Sequence, residues 1–209
     1  VSAWGWATIP AGTQIPTHWG IDGRPDGWSP KEPGLLLLPA LTLLLTILLA
    51  VLPRFEPRRR NLARSAGAYR VVVVGVVVLL GGLHIVAVLA ASGVAVEMGR
   101  MVSLGIGILF ALIGNVLGKV RSNFMFGIRT PWTLASDRSW DRTHRFLGRI
   151  WVAGGLVLAL LALVGASGPV LFGWLAVSLL LSTIVAVVYS YRVWRDDPDR
   201  QPADVRMNR

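Results

Sequence analysis

The stretch LLLLPALTLLLTILLAVL, residues 35–52, carries no charged side chain and is long enough to cross a membrane. A spanning helix needs about 20 predominantly apolar residues, within a working range of about 17–25. Three further runs reach that length directly, and they cover residues 71–91, 101–118 and 170–189. A fourth run, residues 150–165, is slightly short and can gain length from Phe146 and Leu147. The sequence therefore predicts an all-α fold, a polytopic transmembrane helix bundle with five spans in view.

The composition agrees with a membrane protein. Hydrophobic residues make up 54% of the 209-residue chain, charged residues only 15%, and the mean hydropathy is +0.59. An average soluble domain has about 25% charged residues. The net charge of +10 is best explained by loops held against anionic lipid, so direct nucleic-acid binding is not expected. With no cysteine, disulfides, thiolate metal sites and cysteine nucleophiles are excluded.

The first residues, VSAWGWATI, are apolar and aromatic. Tryptophans at interface depth, here Trp4 and Trp6, favour the exit end of a truncated earlier helix, which would bring the spans to six. A short loop on the membrane surface is the alternative. The chain is thus predicted to divide into a helix end with a turn-rich outer loop (1–33), three spans (34–118), a cytoplasmic loop with an amphipathic helix (119–149), two spans (150–190) and a disordered cytoplasmic tail (191–209).

Lysine and arginine are distributed very unevenly between alternate loops. The loops on one side of the predicted membrane hold 18 of them, and the loops on the other side hold three. Because basic loops stay on the cytoplasmic side, residues 53–70, 119–149 and 190–209 are predicted to be cytoplasmic. Residues 10–33 are predicted to face outward, and the C-terminus is predicted to lie inside.

The outward loop is rich in proline, glycine and aspartate, and it contains Asp-Gly twice. Its candidate functional side chains are His18, Trp19, Asp22 and Asp26. Imidazole and carboxylate groups are possible metal ligands. However, Asp22 and Asp26 each precede a glycine, where aspartate is favoured as a turn former. The loop is therefore predicted to be a chain of tight turns, and no metal site is expected.

Residues 127–145, GIRTPWTLASDRSWDRTHR, form the most polar segment between two apolar runs. Pro131 disfavours helix at the residue before it, so FGIRTPW is predicted to be extended or a turn. Ser136 is a candidate N-cap, and Asp137 would then lie near the positive end of the helix dipole. An amphipathic cytoplasmic helix is expected to begin here and to run directly into the span near Ile150.

At 100° per residue this helix carries two opposed stripes. The aromatic stripe consists of Trp140, His144, Leu147 and Trp151, and the arginine stripe consists of Arg138, Arg142, Arg145 and Arg149. Asp141 precedes Arg145 by four positions and can pair with it. The helix could lie at the interface, with its aromatic face in the lipid boundary or against the bundle and its arginines on lipid phosphates. It could instead dock a cytoplasmic partner, or use His144 as a general base. The residues favour the first role, because an amphipathic pattern requires no chemistry to explain it.

Polar residues inside the spans are few. His84 and Asn115 are candidates for function, because polar groups are costly at membrane depth. Gly114 and Gly118 form a small-xxx-small pair suited to close helix contact. The predicted spans contain no aspartate or glutamate, which disfavours a proton-coupled transporter.

Two segments together resemble a known family. Residues 15–39, IPTHWGIDGRPDGWSPKEPGLLLLP, resemble the short domain of unknown function that opens many bacterial membrane proteins of the SdpI type. Residues 115–155, NVLGKVRSNFMFGIRTPWTLASDRSWDRTHRFLGRIWVAGG, are similar to the SdpI family signature. The candidate signature residues are Lys119, Arg121, Asn123, Arg129, Thr130, Pro131, Trp132, Trp140, Thr143 and His144.

The resemblance implies a six-span protein of the bacterial plasma membrane. The family's namesake confers immunity to a secreted toxic peptide and draws an autorepressor to the membrane. The resulting hypothesis is a non-enzymatic immunity protein with no cofactor, whose partners are membrane lipid, a peptide toxin outside and a transcriptional repressor inside. The alternative hypothesis is a small permease or lipid-acting enzyme with a cavity near His84 and His144.

Overall fold

The computed structural model describes residues 1–200, and most of them are helical. Five helices are long and apolar enough to cross a membrane. They are α2 (Lys31–Val51), α4 (Ala66–Ala91), α5 (Met98–Leu117), α7 (Asp137–Leu163) and α8 (Gly168–Arg195). Three short helices are α1 (Ser2–Thr8), α3 (Arg59–Arg64) and α6 (Pro131–Ala135), and a 3₁₀ turn covers Leu52–Phe55. The predicted all-α polytopic bundle with five spans is confirmed, and the protein is a multi-pass membrane protein.

Each long helix packs on the next one along the chain. Helix α2 lies against α4, α4 against α5, α5 against α7 and α7 against α8, while α8 also reaches α5. The most extensive of these contacts joins α5 to α7. The connections on the two sides of the bundle differ in character. We call the end with residues 52–65, 118–136 and 196–200 the basic end, and the end with residues 9–30, 92–97 and 164–167 the hairpin end.

Helices α5 and α7 touch through glycines. A Cβ added to Gly107 would lie 2.6 Å from the carbonyl oxygen of Gly155, and one added to Gly114 would lie 2.6 Å from that of Gly148. The two glycines of each helix are seven residues apart, so they lie on one face about two turns apart. Small residues let backbones approach closely where no hydrophobic effect drives helices together. The α5–α7 crossing therefore requires the absence of these four side chains.

The close contact expected for Gly114 and Gly118 is present, and both residues face α7. A Cβ on Gly118 would lie 3.0 Å from Cγ of Arg145. The glycine contact thus extends from mid-membrane to the basic end of α5.

A β-hairpin occupies the hairpin end, where the sequence predicted only a chain of turns. Strand β1 (Gln14–Trp19) pairs antiparallel with β2 (Pro25–Pro30), with register shifts on either side of His18. Ile15 is buried, and a Cβ on Gly34 would lie 2.6 Å from Cβ of Ile15. The hairpin forms because Ile15 packs against the first turn of α2, a contact between distant residues that turn propensities do not contain.

Lys31 anchors α1 to the start of α2. Its ammonium group donates hydrogen bonds to the carbonyl oxygens of Trp6 at 2.7 Å and Ile9 at 2.5 Å, and the residue is buried. A cation at the C-terminal end of a helix satisfies carbonyl groups that have no partner within the helix and opposes the negative end of its dipole. Ser2 Oγ lies 2.8 Å from Nε2 of His84, which ties α1 to α4.

At the basic end, α8 continues through Arg195, beyond the position where a tail was expected. Asp197 is buried, and residues 196–200 make turn hydrogen bonds with the end of α8. The predicted tail therefore begins as structured chain, and its residues 201–209 lie outside the described residues.

Gly107→Leu is expected to lower the free energy of unfolding by roughly 2 kcal/mol or more, because the new side chain would meet backbone atoms of α7. Gly173→Leu on α8 is the matched control, since a Cβ there meets nothing within 4 Å. Unfolding of the purified protein in detergent, followed by circular dichroism, measures both. Equal stability of the two variants would contradict the proposed glycine crossing.

Candidate functional site

The start of α7 matches the sequence prediction. Ser136 is the N-cap, and its Oγ accepts a hydrogen bond from the backbone N–H of Ser139 at 2.9 Å. Helix α7 then runs without a break into the membrane. Its arginine stripe is exposed at all four positions, while Trp140, His144 and Leu147 of the aromatic stripe are fully buried. The buried stripe faces the connection between α5 and α6, residues 118–130, rather than lipid.

Trp140 and His144 hold this connection through backbone groups. Trp140 Nε1 donates to the carbonyl oxygen of Val120 at 2.7 Å, and the two rings stack with centroids 4.1 Å apart. His144 Nε2 accepts from the backbone N–H of Ile128 at 2.9 Å, and Nδ1 lies 2.8 Å from the carbonyl oxygen of Trp140. Because the Ile128 N–H can only donate, Nε2 is unprotonated and Nδ1 carries the proton. His144 is therefore a neutral structural side chain with both nitrogens engaged.

Gly127 allows the chain to pass over these rings. Its φ is +116°, a conformation that other residues rarely adopt. A Cβ at this position would lie 2.6 Å from His144 Nε2 and 3.2 Å from the ring of Trp140. Both the backbone conformation and the lack of space therefore require glycine.

Asn123 and Glu56 fix the first half of the connection. The fully buried Asn123 accepts hydrogen bonds at Oδ1 from the N–H groups of Met125 and Phe126, both at 2.8 Å, and its amide donates to the carbonyl oxygen of Arg121. The buried carboxylate of Glu56 accepts from the N–H of Phe124 at 3.1 Å and from that of Arg58 at 2.9 Å. These bonds tie the α2–α3 segment to the signature motif.

Hydroxyl groups fasten the second half to α8. Thr130 and Thr133 form a capping box at the start of α6, with Pro131 at the first helical position. Thr130 Oγ1 also donates to Ser190 Oγ at 2.9 Å. Ser136 Oγ donates to Oδ2 of the buried Asp197 at 2.5 Å. Hydrogen bonds thus join the end of α8 and the residues after it to the N-caps of both α6 and α7.

The remaining signature residues lie at the surface or within the packing. Arg121 forms an ion pair with Asp141, with 3.4 Å between Nη1 and Oδ2. The expected partner of Asp141 was Arg145, whose stem instead packs beside Gly118. Arg129 is exposed and donates through Nη1 to the carbonyl oxygen of Phe124.

Three further signature residues have different surroundings. Lys119 is exposed, and the ring of Trp132 contacts that of Tyr191 edge-on at 5.2 Å between centroids. Thr143 is fully buried, and its hydroxyl has no hydrogen-bond partner within residues 1–200. The structure thus brings the ten signature residues to one end of the bundle without converging them on a single cavity.

Residues 119–190 match the SdpI/YfhL protein family, and residues 1–43 match a domain of unknown function, DUF1648. The chain is therefore similar to the SdpI family over its signature residues and its last two spanning helices. It is 24% identical over 174 residues to the immunity protein SdpI of Bacillus subtilis (strain 168), covering 82% of this chain and 83% of that protein. No solved structure matches the chain.

The candidate residues of the DUF1648 region form pairs. His18 Nδ1 lies 2.5 Å from Asp26 Oδ1, and both side chains are exposed. Asp22 accepts a hydrogen bond from the N–H of Arg24 and lies in an ion pair with its guanidinium group. Trp19 is half-buried at the end of β1. Within residues 1–200, no three His, Cys, Asp or Glu side chains meet in a way that could hold a metal ion.

The two intramembrane candidates also have separate surroundings. His84 is buried and bonds to Ser2, whereas Asn115 lies on the exposed side of α5. A large apolar groove between α4 and α5 is lined by neither His84 nor His144. This arrangement gives no support to a cavity that joins the two histidines.

Several residues that hold the two ends of the bundle together were not predicted from the sequence. They are Lys31, Glu56, Ser65, Ser190 and Asp197, and each contacts residues far away in the chain. Glu56 had one signal, because it is the only acidic residue among the basic residues 53–70. The small hydroxyl residues carried no such signal, since serine is common at helix ends and in turns.

Gly127→Ala is expected to loosen the signature motif and speed tryptic cleavage after Arg129 by at least about tenfold, because the new methyl group must displace His144. Gly12→Ala is the matched control. Gly12 also has positive φ, +82°, but a Cβ there meets nothing within 4 Å. Limited proteolysis in detergent, followed by mass spectrometry, distinguishes them. Equal cleavage rates at Arg129 would show that the contact with His144 does not hold the motif.

Proposed function

We propose that this protein is an integral membrane immunity protein that protects its cell from a secreted, membrane-active peptide. The observation that carries the proposal is the similarity to an immunity protein across 82% of the chain. The two family matches support it, since residues 1–43 contain the hairpin and residues 119–190 contain the signature residues at the basic end. The protein would act by binding and not by catalysis.

The proposed orientation places the basic end in the cytoplasm and the hairpin end outside. It rests on the ratio of 18 basic residues to three between the two sets of loops. In this orientation the exposed arginine stripe of α7 lies where anionic lipid headgroups attract cations. The protein would then lie in the plasma membrane of a bacterium, with its C-terminus in the cytoplasm.

The hairpin end offers an apolar surface for a peptide. Ile21 and Trp28 are 55% and 56% exposed on the hairpin. The hairpin tip lies across the bundle, because added Cβ atoms on Gly99 and Gly168 would contact Gly23 and Ile21. Exposed aromatic side chains on a fixed scaffold are favourable anchors for a partner. An amphipathic peptide approaching the membrane would meet this surface first.

The basic end is suited to hold a regulator rather than to carry out chemistry. Both nitrogens of His144 are engaged with backbone groups, so this histidine offers no free base to a substrate. The exposed arginine stripe presents a fixed row of cations on a helix that continues into the membrane. Such a row is complementary to an acidic surface of a cytoplasmic repressor.

Replacing Ile21 and Trp28 together by serine is expected to lower protection by at least about tenfold, because two apolar anchors of the outer surface are lost. The test complements a strain that lacks the gene and challenges it with the peptide fraction secreted by the parent strain. Immunoblotting of membrane fractions confirms equal amounts of protein.

Val94→Ser is the control for this double variant, because Val94 is 48% exposed in another connection of the hairpin end. It should protect as well as the unchanged protein. If the unchanged protein gives no protection, the immunity function is wrong. If the double variant protects fully, the hairpin surface is not where the peptide binds.

Replacing Arg138 and Arg142 by glutamine is expected to abolish the transcriptional response of neighbouring genes to the peptide while protection remains. Both residues are exposed, so the fold should persist. A reporter fusion and a survival assay in the same cells measure the two activities. If the variant loses both protection and the transcriptional response, one surface serves both activities. If it keeps both, the arginine stripe has no part in signalling.

A further inference from the structure

A long apolar groove lies between α4 and α5 on the outside of the bundle. Its volume is about 800 Å³, and it is lined mainly by valine, leucine and glycine. Sites for small molecules commonly measure about 300–1,000 Å³. Val74 and Val78 in its wall are 59% and 66% exposed. The groove is therefore large enough for a ligand and opens sideways into the membrane.

Among the described residues that line the groove, only Arg70 is charged. It lies in the second turn of α4, close to the basic end, and its side chain is exposed. Within residues 1–200 no hydrogen bond or ion pair engages it, whereas Arg58, Arg100 and Arg121 are all engaged. The groove thus joins a cation at one end to an apolar channel.

Two glycines deepen the groove at positions where no close helix contact requires glycine. Gly67 and Gly82 line the groove, and a Cβ on either would meet nothing within 4 Å. This distinguishes them from Gly107 and Gly114, which are required for contact with α7. Within the described residues, the space above Gly67 and Gly82 is open.

The N-terminal helix does not cover the groove. It reaches α4 through the contact between Ser2 and His84. His84 follows Gly82 by two positions and so points about 200° away from it around the helix axis. At the level of Gly82, helix α1 and the groove therefore lie on opposite faces of α4. Arg70 is separated from the α1 contact along the helix axis instead, because it lies 14 residues, about 21 Å, before His84.

We propose that this groove binds one anionic phospholipid. The phosphate lies against the Arg70 guanidinium, and an acyl chain lies along the glycine and valine floor. A guanidinium group binds phosphate through paired, charge-assisted hydrogen bonds, which are stronger where water is scarce. The distribution of groups along the groove, one cation followed only by apolar surface, matches the head and tail of such a lipid.

A second copy of the chain fits the groove less well. Copies in one membrane share an orientation, so a two-fold interface through this groove would bring two Arg70 side chains to the same depth. Two such cations near each other, without anions between them, repel. A lipid phosphate supplies the missing negative charge directly.

The test uses native mass spectrometry of the full chain, released from micelles with equal amounts of phosphatidylglycerol and phosphatidylcholine carrying the same acyl chains. The unchanged protein should retain one phosphatidylglycerol, with a preference of about tenfold over phosphatidylcholine. Arg70→Gln should remove the preference. Arg60→Gln, an exposed arginine of α3 at the same end of the bundle that does not line the groove, should keep it.

A second pair of variants tests the channel. Gly82→Leu fills the groove and should lower retention of both lipids by at least about fivefold. Gly81→Leu is the control, because a Cβ there also meets nothing within 4 Å but the residue does not line the groove. Circular dichroism checks that all variants keep their helices.

Three results would overturn the proposal. The first is a lipid preference that survives Arg70→Gln, and the second is equal retention by the Gly82→Leu and Gly81→Leu proteins. The third is a dimer of the unchanged protein that Gly82→Leu dissociates, which would make the groove an interface between two copies.

Discussion

The direct contact of the α5 and α7 backbones, made possible by glycines on both helices, determines where the rest of the bundle can lie. Association of helices in a membrane depends on close packing, because lipid and helix surfaces are equally apolar. At Gly107 and Gly114 the approach leaves no room for a Cβ. Helix α7 continues past this contact to the basic end, so the same crossing also sets the positions of Trp140 and His144. One rigid helix therefore joins the membrane core to the signature motif.

The signature motif is held by polar side chains that serve the backbone. Asn123, His144 and Glu56 each accept hydrogen bonds from main-chain N–H groups of residues 124–128. Buried polar groups are costly unless they are paired. Here the paired groups hold a loop that has no regular secondary structure in a single conformation. Engaged groups of this kind cannot act on a substrate at the same time. The motif is therefore a rigid surface whose buried polar groups are already satisfied.

The two ends of the bundle are built differently. The hairpin end relies on a few anchors, chiefly Lys31 at the C-terminus of α1 and Ile15 against Gly34, and leaves Trp28 exposed. The basic end is cross-linked by hydrogen bonds from α3, α6, α7 and α8, including the bond of Ser136 to Asp197. The hairpin end is therefore a surface on few anchors, whereas the basic end is braced by several helices.

The sequence alone determined the five spans, the cap at Ser136, the two stripes of α7 and the resemblance to the SdpI family, because apolar length, helical periodicity and local motifs are properties of neighbouring residues. The tertiary structure alone decided which partners the polar residues find. It turned the expected outer turns into a hairpin, paired Asp141 with Arg121 and bound His144 to Ile128. These outcomes depend on segments brought together from opposite parts of the chain, and no local pattern encodes that approach. His144 therefore gained a structural role where its sequence position also allowed a catalytic one.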